Sequence, residues 1–176
     1  LSKQRDTQFK FANYRPISIL PSLSKLFEQA IKTRLVKHLK TNSIIHSHQY
    51  GFITSSNTTA AATCFANDII SSFNGGMKTA ALFLDIKKAF DCVNYRILEK
   101  ILTYSRITGK PLKLLLNYFE NRKQAVVLEN ESSDLLNVTA GCAQGSILGP
   151  TIFLIYINDL LNLNLNGRLR LFADDG

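Results

Sequence analysis

Tryptophan is absent from the 176 residues, cysteine occurs three times, and glycine and proline appear only nine and four times. So little Gly and Pro excludes collagen-like and low-complexity chains. Charged residues make up 19% against 45% hydrophobic ones, which excludes a disordered or coiled-coil chain. Long apolar runs are missing too. The longest, Ile152-Phe-Leu-Ile-Tyr-Ile157, falls far short of the ~20 residues that cross a membrane, and Leu1-Ser-Lys-Gln-Arg5 has no apolar signal region. Neither a membrane nor a secreted protein is expected. Cys64, Cys92 and Cys142 are odd in number and widely spaced, fitting neither a disulfide framework nor a zinc site. They are expected to be reduced, buried and intracellular. The start without Met and the stop at Asp-Asp-Gly suggest an excerpt of something larger, with enough chain to bury about 70% of its unfolded surface.

What is present is unevenly placed. The net charge is +8, and residues 1–40 hold nine Lys or Arg against two acids, whereas residues from 123 onward hold three against six. A basic lobe beside a carboxylate-bearing one suits a phosphate-rich ligand and a cation-assisted reaction, although solubilising surface charge gives the same total.

Periodicity supplies the elements. Leu26, Phe27, Ala30, Ile31, Leu35 and Leu39 recur at helical steps, predicting a basic amphipathic helix over 24–40. Asn57 caps a second helix to about Phe73, and Gly75-Gly76 ends it at a candidate lobe boundary. Ala80-Ala-Leu-Phe-Leu84 reads as a central strand buried on both faces, with Asp85 at its end. Helices follow behind Asp91 or Asn94 and at Pro111, then a hairpin from Gln124–Glu129 and Asp134–Thr139, then a buried helix over 151–161. His46 and His48 read as a solvated turn, and His38 as a helix C-terminal residue. Leu169, Leu171 and Ala173 alternate into Asp174-Asp175-Gly176, a hairpin-turn signal.

Carboxylates near a core are costly unless paired, protonated or bound to a cation. Were the two strands neighbours, Asp85, Asp174 and Asp175 would form an oxygen-only cluster suited to Mg²⁺. Two such ions about 3.5–4 Å apart would activate a 3′-hydroxyl and stabilise leaving pyrophosphate. A plain polar turn is the alternative at this point.

Four motifs occur in order: Asn13-Tyr-Arg-Pro-Ile-Ser18, Leu84-Asp-Ile-Lys-Lys-Ala-Phe-Asp91, Gly141-Cys-Ala-Gln-Gly-Ser-Ile-Leu-Gly-Pro150 and Phe172-Ala-Asp-Asp175. With Ile155-Tyr-Ile-Asn-Asp-Leu160, the sequence resembles reverse transcriptases of non-LTR (LINE-type, jockey-like) retrotransposons from Lys3 to Asp175. The resemblance implies an α+β right-hand polymerase fold: basic fingers over 1–76 and palm over 77–176, with part of 110–140 in the fingers. An antiparallel palm sheet would be backed by helices, and the thumb would be absent.

By the same resemblance, Asp85, Asp174 and Asp175 are catalytic, and with the Ile86 carbonyl they hold two Mg²⁺ ions, Mn²⁺ being a possible substitute. Phe90 matches the aromatic gate that excludes a 2′-hydroxyl, and Gln144 and Gly145 lie near template and nucleotide. Arg15 and Lys3 would grip the triphosphate, and Lys25, Lys32 and Lys88 would meet nucleic acid. The implied partners are an RNA template, a DNA primer, deoxynucleoside triphosphates, and an endonuclease and thumb in cis, in cytoplasm and nucleus. Ile53 stands where the family usually has Arg, Ala143 where it has Pro, and Tyr95 where it often has His. An RNA-dependent RNA polymerase and a catalytically dead RNA-binding remnant are the competing readings.

Overall fold

Leu35 and Leu39 share one face of a helix, and Glu28 lies seven residues before Leu35 on that same face. In the computed structural model, which describes residues 17–54, 56–128 and 131–173, this is α1, Ser22–Thr41. The predicted helix is therefore present, but its inward set is reduced. Leu35 and Leu39 are buried, while Leu26 and Phe27 at the N-terminal end stay exposed.

The core lies where α3 (Tyr95–Tyr104), α4 (Gly109–Phe119) and α5 (Gly149–Ile157) meet. Leu98 and Leu102 of α3 pack with Leu115 and Phe119 of α4 and with Ile152, Phe153 and Ile155 of α5. Each such buried side chain contributes about 1.5–3 kcal/mol of transfer free energy. Asn94 starts α3 by accepting from the Arg96 and Ile97 amides. Apolar residues surround α5 on nearly all sides, and a 3₁₀ segment, Asn158–Asn162, continues it. Asn158 is buried and clamps the preceding turn, accepting from the His46 amide at 2.9 Å and donating to the Ile44 carbonyl at 3.0 Å.

α2, Thr58–Asn74, begins at Asn57, whose side chain accepts from the Ala60 amide, and it has no fully buried residue. It is held at its edge instead: Asp68 pairs with both Arg168 and Arg170, and Phe65 meets Phe83 edge-on at 5.4 Å. Burial pushes the Asp68 carboxyl up, but hydrogen bonds from Arg170 and Arg168 outweigh this and leave it below its ordinary value.

The expected hairpin forms as two short antiparallel ladders. β1 (Lys123–Gln124) pairs with β4 (Leu136–Asn137), and β2 (Val127–Leu128) pairs with β3 (Glu131–Ser132). Two residues separate β1 from β2 and three separate β3 from β4, so the register slips by one, as at a bulge.

The central strand over 80–84 does not form. Leu82, Phe83 and Leu84 are 78%, 76% and 54% exposed, and no ladder runs along them among the described residues. An apolar run shows that a segment can be buried, not that neighbouring elements cover it, and here Phe65 of α2 meets Phe83 while the run stays exposed. The described ladders thus belong to the hairpin rather than to a helix-backed palm sheet. Mixed helices with small antiparallel sheets make an α+β chain. Among the described residues no helix is long and apolar enough to cross a membrane.

Candidate active site

Asp85 is exposed at a single bridge position, and the chain then turns through Lys87 and Lys88, the latter left-handed with φ 55°. A 3₁₀ turn, Ala89–Cys92, follows. Its inward residue Ala89 is buried, while Phe90 is half-buried between Phe153 of α5, 4.7 Å away, and Phe52, 6.1 Å away. The Asp85 carboxylate therefore projects to solvent from a segment whose far end is anchored in the core. It has no ion-pair partner among the described residues.

The Gln-Gly loop is bonded to that same segment. The Cys142 amide donates to the Phe90 carbonyl and the Gly141 amide to the Val93 carbonyl, both at 2.8 Å. Gln144 Nε2 donates to Asp91 Oδ1 at 3.2 Å. Gly141 has φ 87°, and a Cβ there would meet the Asp91 Cα at 3.0 Å, so the close approach requires glycine. Gly145 has φ 111° and lies where a Cβ would meet the Ser18 carbonyl at 3.0 Å, while the Ser18 amide donates to the Gln144 carbonyl. Phe90, Gln144 and Gly145 are thus brought together, with residues 17–18 as a third wall.

A fourth stretch of chain joins the site through Phe52, which meets Phe90. The Tyr50 amide donates to the Leu171 carbonyl at 2.8 Å, and the Leu171 amide to the His48 carbonyl at 3.0 Å, which sets Gln49 and Leu171 in a parallel bridge. Lys32 lines a cavity of about 620 Å³ with Tyr50, Phe52, Ile53 and Thr151. Lys25 is exposed on α1, and Lys88 is exposed beside Asp85. Lys3, Arg15, Asp174 and Asp175 lie outside the described residues. Asp85 alone of the three acids can therefore be placed. Its free, exposed carboxylate is a hard oxygen donor that fits Mg²⁺. Among the described residues no three His, Cys, Asp or Glu side chains gather as a metal site.

Sequence reasoning missed the support beneath this loop. Glu28 is fully buried and accepts from Tyr118 OH at 2.8 Å, Ser146 Oγ at 2.9 Å, the Ile147 amide at 2.7 Å and the Leu148 amide at 3.3 Å. Ser146 Oγ in turn accepts from the Leu148 and Gly149 amides where α5 starts. A carboxylate at a helix N-terminus is also favoured by the helix dipole. The available signal was an acid on the apolar stripe of α1. Tyr95, which stands where a His was expected, donates to the Gly141 carbonyl at 2.9 Å.

Cysteine placement also differs from expectation. Cys142 is buried and Cys64 half-buried, but Cys92 is exposed, because it ends a surface 3₁₀ turn. Burial pushes the Cys142 thiol up to about 12, so it stays protonated and unreactive at neutral pH.

Residues 3–176 match the family described as reverse transcriptase (RNA-dependent DNA polymerase). The chain is 36% identical over 168 residues to the probable RNA-directed DNA polymerase from transposon X-element of Drosophila melanogaster, covering 93% of this chain and 18% of that protein. It is 31% identical over 155 residues to the RNA-directed DNA polymerase from mobile element jockey of Drosophila funebris, covering 86% and 16%. It is 34% identical over 150 residues to the probable RNA-directed DNA polymerase from transposon BS of D. melanogaster, covering 84% and 16%. The chain thus spans less than a fifth of the length of these relatives.

Proposed function

Since the chain belongs to the reverse transcriptase family, we propose that it carries the nucleotide-adding site of an RNA-directed DNA polymerase from a non-LTR retrotransposon. The observation that carries this reading is the Gln144–Asp91 hydrogen bond, which ties the Gln-Gly loop to the segment that presents Asp85 and Phe90. Residues from two distant motifs then border one solvent-facing surface, as a template-directed site requires.

Asp85, the Ile86 carbonyl, Asp174 and Asp175 would hold two Mg²⁺ ions, or Mn²⁺ in their place; when bound, these supply Lewis-acid activation of a primer 3′-hydroxyl and neutralise the triphosphate. Arg15 and Lys3 grip the triphosphate oxygens of a deoxynucleotide. Phe90 fills the space a 2′-hydroxyl would need, held in place by Phe52 and Phe153. Gln144 and Gly145 border the incoming nucleotide and its template base. Lys25, Lys32 and Lys88 meet the phosphates of an RNA template or DNA primer. Residues 1–76 act as fingers and 77–176 as palm, with part of 110–140 joining the fingers, and a thumb and an endonuclease complete the same polypeptide. Three free cysteines suit a reducing intracellular compartment, cytoplasm or nucleus.

Primer extension on an RNA template tests this reading. Phe90→Ala is expected to lower discrimination against ribonucleotides by about 10–100-fold, the value of a steric contact of 1–3 kcal/mol. Unchanged sugar selection in Phe90→Ala would instead favour an RNA-dependent RNA polymerase.

A further inference from the structure

Gln49 is only 3% exposed, and its side chain is shared between two strands of chain. Its Oε1 accepts from the Gly51 amide at 2.9 Å and from the Ala173 amide at 3.0 Å. Its Nε2 is buried and has no hydrogen-bond partner among the described residues. Ala173 is left-handed, with φ 60°, a conformation sparsely populated by alanine that persists only where the surroundings impose it. The surroundings here are unusually close. A Cβ on Gly51 would stand 2.2 Å from the Ala173 nitrogen and 2.7 Å from its Cβ, so Gly51 lets the two backbones touch. The bonds between Tyr50 and Leu171 and between Leu171 and His48 extend the same contact along the chain.

Asp174 follows Ala173 directly in the sequence. We propose that Gln49 is a positioning residue for the acidic doublet: its carboxamide oxygen holds the amide of Ala173, the residue directly before Asp174 in the sequence. This rests on the reading of that doublet as metal-holding.

The test is Mn²⁺ titration of the 176-residue chain, with free Mn²⁺ followed by electron paramagnetic resonance, for the wild type, Gln49→Met and Asp174→Asn. Gln49→Met keeps the length of the side chain and removes both polar atoms. It is expected to raise the half-saturating Mn²⁺ concentration at least fivefold. A purely structural role would reduce the number of sites by lowering the folded fraction, without moving that concentration.

Wild-type affinity in Gln49→Met, with weakened binding in Asp174→Asn, overturns the proposal while leaving the metal reading intact. Undiminished binding in Asp174→Asn overturns the metal reading and the proposal with it. Should Gln49→Met fail to fold, hydrogen exchange of the wild type decides. The Ala173 amide should exchange at least 100-fold more slowly than an unprotected amide, and free exchange there overturns the proposal.

Discussion

Asp85→Asn is expected to lower nucleotide addition about 1000-fold, equivalent to about 4 kcal/mol of transition-state stabilisation. The substitution keeps the shape of the side chain and removes its charge, so a loss of that size reports electrostatics rather than packing. Asp85 is exposed and unpaired among the described residues, and stability should stay within about 0.5 kcal/mol of wild type. Asp91 provides the control. It also bears an exposed carboxylate, but it accepts from Gln144, so Asp91→Asn should cost no more than about tenfold through one weakened hydrogen bond. Single-nucleotide primer extension, with thermal melting alongside, distinguishes the two. An Asp85→Asn protein that extends primers at the wild-type rate would remove Asp85 from the chemistry.

The second large effect concerns stability. Glu28→Ala is expected to destabilise the fold by about 3 kcal/mol, because it leaves buried donors of Tyr118, Ser146 and Ile147 without their acceptor. For a chain of this size that lowers the melting midpoint by roughly 6–12 °C. Glu28→Gln keeps one acceptor oxygen and should cost about half as much. Activity should fall with stability, since the same carboxylate holds the chain just after Gln144 and Gly145. A melting midpoint unchanged in Glu28→Ala would show that the four hydrogen bonds contribute nothing net.

The same network carries a pH signature. Tyr118 is pushed up to about 12, by burial first and with the Glu28 carboxylate adding to it. Its ordinary value is 10. The folded state therefore binds the phenol proton more tightly than the unfolded state does. That stabilisation is complete below pH 10 and is lost as pH rises through about 12. Denaturant midpoints measured from pH 9 to pH 12 should decline across this window, and a Tyr118→Phe protein should show a shallower decline.

Much of the scaffold was written locally. α1, α2, α3 and α5 follow from apolar residues at helical spacing and from caps such as Asn57 and Asn94, which act within a few residues of themselves. The hairpin follows equally from two apolar runs about a polar break, though its one-residue slip does not. The ordered motifs likewise singled out Asp85, Phe90, Gln144 and Gly145, and the fold brings the Gln-Gly loop onto the segment that carries Asp85 and Phe90. What periodicity could not decide was cover. Leu82, Phe83 and Leu84 have the apolarity of a central strand, yet they stand exposed, with Phe83 met only edge-on by Phe65 among the described rings.

Family, helices and motif residues are legible in the order of residues alone, since propensity, capping and motif spacing are properties of neighbouring residues. The burial of Glu28 as an acceptor for groups 90 to 120 positions away, and the hold of Gln49 on the amide of Ala173, 124 positions on, arise from long-range packing. A polar side chain's partner depends on which distant backbone arrives within about 3 Å of it. That is set by how the whole core packs and leaves no periodic trace in the order of residues.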